Sequence, residues 1–269
     1  MKDYTFGFIG CGNMGGALAQ AVAKAVGGEN LLLCDAYAPK AEALAKACGA
    51  TVATLETLAA TCDYIFLGVK PQGFVGLFEG LRPLLQARKD NFTLVSMAAG
   101  LSISAVEKMA DCNCGVIRIM PNTPVSVGQG MILYAANDKT AKDTVDTFCQ
   151  ALLHAGKLDA IAEDKIDAAS ALSGCGPAFV YLFAEALADG GVECGLPRDK
   201  AMAYAAQTLL GAATLLLESG KHPGELKDAV CSPGGTTIAG VHALETGAFR
   251  ASAMGAVTAA YEKTLQLKK

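Results

Sequence analysis

Short apolar runs alternate with longer amphipathic patterns over the first part of the chain. Runs suited to strands fall at residues 5–9, 31–35, 64–69, 93–96, 115–118 and 131–134, with a weaker one at 157–161. Between them, residues 14–26, 39–48 and 102–109 carry the spacing of helices. Buried strands separated by amphipathic helices predict a parallel sheet covered on both faces. After about Asp164 the strand pattern stops. A helix is expected up to Gly174, a second opening at Pro177, and a third running from Pro197 to Gly220. Three more follow, in "HPGELKDAV", in "TTIAGVHALETG" and over 249–265. Val180, Leu182, Phe183, Leu187, Leu209, Leu210, Leu215, Leu216 and Leu217 place apolar groups on more than one helix face. Such helices need cover on several sides, and a second copy of the chain would supply it. The expected division is residues 1–163 and 164–269.

Composition narrows the picture. Of 269 residues, 52% are hydrophobic and 18% charged, which argues against long disordered tails. A net charge of -4 without basic runs argues against a nucleic-acid surface. The ten cysteines form no C-x-x-C pair, so neither a metal site nor a disulfide framework is expected. Reduced cysteines and a start that lacks the layout of a secretion signal fit a cytoplasmic protein. The most apolar stretch, "AMAYAAQTLLGAATLLL", contains Gln207, two threonines and Gly211, and reads as too polar for a membrane span.

The candidate chemistry begins at "FIGCGNMGG". Gly10, Gly12 and Gly15 follow a strand and open a helix, a spacing suited to a tight turn, a close backbone approach and close helix packing. The helix start offers free N–H groups and a partial positive charge to a pyrophosphate. Asp35 closes the next strand, where a carboxylate can accept both ribose hydroxyls of NADH and repel a 2'-phosphate; the alternative is a solvated strand end. Lys40 is the only cation nearby. Val69, Lys70 and Pro71 leave the strand at 64–69 on the same edge. Met97, Ala98 and Ala99 leave the next one, and Asn122 and Thr123 follow in "RIMPNTP". Small residues there would admit a nicotinamide ring, and Asn122 and Thr123 could bond its carboxamide or ribose; the alternative for each taken singly is an ordinary turn after a strand.

A second glycine loop, "CSPGGTTIAG", lies far along the chain. Ser232, Gly234, Gly235, Thr236 and Thr237 lead into a helix, a layout suited to a carboxylate. The alternative is that Thr236 only caps its own helix.

These motifs together resemble pyrroline-5-carboxylate reductase over nearly the whole chain: "FIGCGNMG", "GVKPQ", "SMAAG", "RIMPNTP", "ALSGCGPAF" and above all "HPGELKDAVCSPGGTTIAGVHALE". The resemblance implies an α/β architecture, a Rossmann-like doubly wound sheet followed by an all-helical C-terminal dimerisation domain, often assembled into rings of dimers. It implies reduction of the cyclic imine 1-pyrroline-5-carboxylate to L-proline with NADH or NADPH, the last step of proline biosynthesis. Ile9, Gly10, Cys11, Gly12, Asn13, Met14 and Gly15 would lie against the cofactor, with Val69, Lys70, Pro71, Met97, Ala98 and Ala99. The loop 232–237 would hold the substrate carboxylate, with Thr237 beside the ring nitrogen as the catalytic group. Two positions depart from the family pattern. Leu55 stands where an Asn often meets the adenosine, and Thr236 where a smaller residue is common.

Hydride transfer to an imine that is protonated near neutral pH needs little acid–base apparatus, so His154, His222 and His242 are not required. A β-hydroxyacid dehydrogenase is the competing enzyme, with Lys165 as its only candidate lysine. A dinucleotide sensor without catalysis is the non-enzymatic alternative.

Overall fold

The computed structural model describes residues 5–267; the chain start considered above for a secretion signal, residues 1–4, lies outside them. The described residues form two compact units. One runs to Gly174 and includes the chain end from Tyr261; the other is Cys175–Ala260.

The first unit holds an eight-stranded sheet in the order β3-β2-β1-β4-β5-β6-β7-β8. Its strands are β1 (Phe6–Ile9), β2 (Leu31–Cys34), β3 (Thr51–Val52), β4 (Tyr64–Leu67), β5 (Thr93–Ser96), β6 (Gly115–Met120), β7 (Gly130–Ala136) and β8 (Gly156–Ala160). The first six follow the order of a dinucleotide-binding sheet, which reverses direction between β1 and β4. The helices between strands are α1 (Asn13–Val26), α2 (Ala38–Cys48), α3 (Leu55–Thr61), α4 (Phe74–Gln86), α5 (Ile103–Ala110) and α6 (Lys142–Ala151).

The sheet is not wholly parallel as expected: β6 pairs with β7 antiparallel, Ile119 opposite Tyr134. The link from Met120 to Gly130 is too short for a crossover, which takes a dozen or more residues, so the chain turns back.

Alternation along the strands builds a core on each face. Phe6, Phe8, Tyr64 and Phe66 point to one side with Leu18, Val22 and Phe148. Ile9, Ile65 and Leu67 point to the other with Leu58, Phe74 and Phe78. Across β1 and β4, Phe6 stacks on Tyr64 with centroids 5.0 Å apart and Phe8 on Phe66 at 4.4 Å. Each such pair adds about 0.5–1.5 kcal/mol beyond area burial.

Past β8, helix α7 (Ile166–Ser173) still belongs to the first unit. Ile166 is buried against Met120 and Leu133. Arg118 of β6, itself buried, donates to Asp167 at 2.8 Å and to Glu163 at 3.3 Å. This compact unit therefore runs past Asp164, the residue at which strand signals end.

The second unit contains α8 (Gly176–Glu193), α9 (Arg198–Ser219), α10 (Pro223–Ala229), α11 (Thr236–Thr246) and most of α12 (Phe249–Leu267). Its buried apolar cluster among the described residues is Ala188, Ala201 and Ala205, with Val192 packed against them. Tyr181, Leu182, Leu210, Leu215, Leu217 and Met254 are exposed. The expectation that no stretch reaches membrane-span composition needs correcting: Glu163–Glu193 and Arg198–Ser219 are both long and apolar enough, by length and composition only. A mostly buried core helix passes the same test, whereas 11% of the apolar window in each of these stretches is buried in the single chain.

Candidate active site

The glycine loop follows β1 at the strand's carboxyl end, beside the exit of β4. Gly10 takes a φ of 99°, and a Cβ there would lie 2.7 Å from the Gly68 backbone. A Cβ on Gly15 would strike the Gly10 carbonyl oxygen. Gly12 is different, since nothing lies within 4 Å of where its Cβ would be. Two glycines thus serve the loop's own packing, and the third leaves open space at the helix start. Gly12 is also the N-cap of α1 and has no side-chain capping bond, so the first N–H groups of that helix remain available to an anion. A cavity of about 930 Å³ begins here at Gly12 and Asn13 and runs along α1 as far as Lys24 and along α2 from Lys40 to Ala47. The residues fit the diphosphate of a dinucleotide.

Asp35 sits just past β2 and is partly buried. One carboxylate oxygen accepts the Cys11 N–H at 2.7 Å and the other the Tyr37 N–H at 2.9 Å. Two backbone donors therefore fix the carboxylate against the glycine loop, and each oxygen keeps a lone pair for a further donor. Cys11 is buried, and burial followed by the Asp35 charge pushes its thiol from 9.0 up to about 12. A thiol so held stays neutral beside the phosphate position.

Val69, Lys70 and Pro71 follow β4, where Gly68 N–H bonds the Ile9 carbonyl at 2.7 Å. Pro71 opens a short 3-10 turn, and the Lys70 side chain is exposed. Ala98 is buried, Met97 partly buried and Ala99 exposed at the end of β5. Asn122 has other partners than those expected from sequence. Its Nδ2 donates to the Ser173 carbonyl at 2.9 Å, and its Oδ1 accepts the Met131 N–H at 2.9 Å. Each end of the amide has one partner within the protein, and Nδ2 keeps a second proton for a further acceptor. Leu55, in place of a polar residue, begins α3 and packs against the core that contains Leu58 and Phe78.

In the second unit, Ser232, Pro233, Gly234 and Gly235 form a turn closed by Gly235 N–H to the Ser232 carbonyl at 3.0 Å. Proline at the second position and Gly234 with a φ of 68° at the third suit a type II turn. The turn delivers Gly235, not Thr236, to the N-cap of α11, and no side chain caps the helix. Thr236 is the first residue inside the helix and does not close it, contrary to the capping alternative. The leading N–H groups of α11 therefore have no intrahelical acceptor, and the exposed hydroxyls of Thr236 and Thr237 stand in the same turn. Each charged-acceptor bond made there would contribute about 1.5–3 kcal/mol.

Of the histidines, His154 lines the cavity beside α1 and His242 is exposed on α11. His222 caps α10 by accepting the Gly224 N–H at Nδ1, 3.1 Å away. Lys165 is exposed and pairs with Asp164 at 3.0 Å, so the lysine that a hydroxyacid dehydrogenase needs is engaged on the surface.

Comparison with known proteins agrees with this division of labour. Residues 163–267 match the family model described as pyrroline-5-carboxylate reductase dimerisation. Residues 5–100 match the model described as NADP oxidoreductase coenzyme F420-dependent. The pyrroline-5-carboxylate reductase of Pisum sativum is 40% identical over 98% of this chain and 96% of its own length. Among solved structures, the Plasmodium falciparum pyrroline carboxylate reductase with NADP bound is 33% identical, with a TM-score of 0.87 over the whole of both chains. The Coxiella burnetii pyrroline-5-carboxylate reductase is 30% identical, with a TM-score of 0.91 and the same coverage. A Rossmann-like sheet unit, a helical unit matched by the dimerisation model, and full-length likeness to these enzymes lead to one assignment: the chain belongs to the pyrroline-5-carboxylate reductase family.

Proposed function

We propose that this protein reduces 1-pyrroline-5-carboxylate to L-proline, the closing step of proline biosynthesis, and does so in the cytoplasm as a homodimer. The observation that carries the reading is the pair of helix starts, α1 and α11, each left uncapped by its own chain. When bound, the nicotinamide cofactor supplies the reducing equivalent; the protein supplies position. The α1 amides hold the diphosphate, and the α11 amides with Ser232 and Thr236 hold the substrate carboxylate. Thr237 bonds the ring nitrogen and keeps the imine carbon facing the nicotinamide. Reaction then needs the two carbons about 3–3.5 Å apart.

NADH is the preferred form in this reading. Asp35 presents a fixed negative charge at the ribose end, held there by the Cys11 and Tyr37 N–H groups. The helical unit pairs with a second copy, which covers its apolar faces in place of a lipid surface. The substrate is a small acid and no nucleic acid takes part.

The test is loss of reduced-nicotinamide absorbance on adding pyrroline-5-carboxylate, with NADH and NADPH in parallel and a hydroxy acid as control. Thr237→Ala is expected to lower turnover about a hundredfold with NADH affinity nearly unchanged. Asp35→Ser is expected to move the NADH-to-NADPH preference by roughly tenfold toward NADPH, one tenfold step being about 1.4 kcal/mol. NADH binding with no consumption on adding the imine would mark a sensor, and reaction with the hydroxy acid would mark a dehydrogenase.

A further inference from the structure

The helical path between α7 and α8 is interrupted at the boundary of the two compact units. Gly174 (φ -75°, ψ -43°) and Cys175 (φ -87°, ψ -26°) keep right-handed helical angles, yet regular helix stops at Ser173 and resumes at Gly176. Pro177 supplies a reason. In an uninterrupted α-helix the Ser173 carbonyl would accept the N–H of residue 177, and proline has none. A carbonyl deprived of its donor in a part-buried position is costly unless another group reaches it.

Asn122 reaches it. Its Nδ2 donates to the Ser173 carbonyl at 2.9 Å across 51 residues of sequence. The other end of the same amide accepts the Met131 N–H at 2.9 Å, at the start of β7. The residue is itself buried, 9% exposed. It stands just past the carboxyl end of β6, the edge of the sheet that also carries the glycine loop and the exit of β4. One side chain therefore ties that edge to the last turn of α7, from which the chain leaves for the helical unit.

We propose that Asn122 and Pro177 form a matched pair, proline removing a donor and asparagine replacing it, and that Asn122 is thereby a positioning residue for turnover. The inference rests on the reductase function proposed above. Asn122 touches neither reacting atom in this account. It holds the last turn of α7 in one geometry against the sheet edge that also carries the glycine loop. A cofactor-binding asparagine would instead show its loss in nicotinamide affinity.

The test is a double-mutant cycle on the full-length protein. Asn122→Asp keeps the acceptor for Met131 and removes the amide donor; Pro177→Ala returns an N–H to the helix. Asn122→Asp is expected to lower kcat roughly tenfold, the scale of one lost hydrogen bond, with the dissociation constant for NADH, read by nicotinamide fluorescence, changed less than about twofold. In the Pro177→Ala background the same substitution should lower kcat less than about threefold, because Ser173 then has a helical donor. Amide hydrogen exchange over residues 166–180 gives a readout independent of activity. It should quicken in Asn122→Asp and slow again in the double variant. Equal kcat losses in both backgrounds, a loss confined to NADH affinity, or unaltered exchange would each overturn the proposal. Should Asn122→Asp fail to fold, Asn122→Ala, which removes the donor without adding charge, completes the cycle with the same pattern expected. If the unsubstituted protein binds NADH but does not reduce the imine, the reductase reading fails, while the exchange arm still decides whether the Asn122–Pro177 pair exists.

Discussion

The two compact units spend similar apolar residues in different ways. The sheet unit buries Phe6, Phe8, Tyr64, Phe66, Phe74, Phe78 and Phe148 almost completely. The helical unit buries three alanines and leaves Leu182 69% and Leu217 78% exposed. Strands present two faces, and helices of one chain can cover both. The long helices α8 and α9 are apolar around much of their circumference, and contact with each other covers only one stripe of each. Self-sufficiency is thus a matter of geometry more than of hydrophobic content. The unit whose buried apolar cluster, among the described residues, is three alanines is the one matched by the dimerisation model.

That contrast can be broken most directly at the exposed leucines. Leu182→Glu with Leu217→Glu is expected to abolish self-association, seen in sedimentation as a fall from at least two chains to one. A mass above two chains in the unsubstituted protein would add the ring of dimers that the resemblance implies. Unaltered mass in the variant, or recovery of the unsubstituted protein only with membranes, would remove a second copy as the cover for these faces.

The next effect sharpens the comparison within one chain. Phe66→Ala should cost about 3–5 kcal/mol through lost packing and a residual cavity, with a fall in Tm that does not depend on protein concentration. Tyr181→Ala, at a position 63% exposed in the single chain, should lower Tm by an amount that shrinks as concentration rises, since mass action favours the associated form. Equal concentration dependence for both would mean that the two units are stabilised alike.

The smallest effect concerns the cysteines. Burial pushes the Cys62 and Cys114 thiols from 9.0 up to about 12, as it does Cys11, and all three lie in the sheet unit. Cys175 and Cys194 in the helical unit are exposed. A raised folded-state value means that the unfolded chain releases its proton first. This contribution to stability is therefore intact below about pH 9 and is lost as pH climbs toward about 12. Tm measured from neutral to alkaline pH should fall over that window, and Cys62→Ala should flatten the slope. At neutral pH a thiol reagent should label Cys175 and Cys194 well before Cys62.

Legibility followed the range over which each signal acts. Strands β1, β2, β4 and β5 show in the sequence because each is a short apolar run bounded by turns. The roles of Gly10 and Gly15 show as well, since the residues they crowd lie within the loop or in the paired strand. Helix α4 escapes notice because Gly76, Gly80 and Pro83 interrupt its spacing. Helix α3 is only seven residues long and owes its start to Thr54, which accepts the Thr57 N–H at 3.2 Å. Strand β3 is two exposed residues held by pairing with β2 alone. The antiparallel β7 could have been foreseen from the brevity of the 121–129 link. The binding partner of Asn122 could not.

What the amino-acid order determined by itself is the set of local pieces: apolar runs, glycine turns, proline-led helix starts and two places where a helix begins without a cap. These depend on sterics and hydrogen bonding within a few residues, so they are written where they act. Tertiary structure alone decided that β7 runs against β6, that Asp35 is fastened by Cys11 and Tyr37, and that Asn122 serves a carbonyl orphaned by Pro177. Each joins groups distant in sequence or set by a turn's three-dimensional course, and only the packed chain brings a buried donor within reach of the acceptor that needs it.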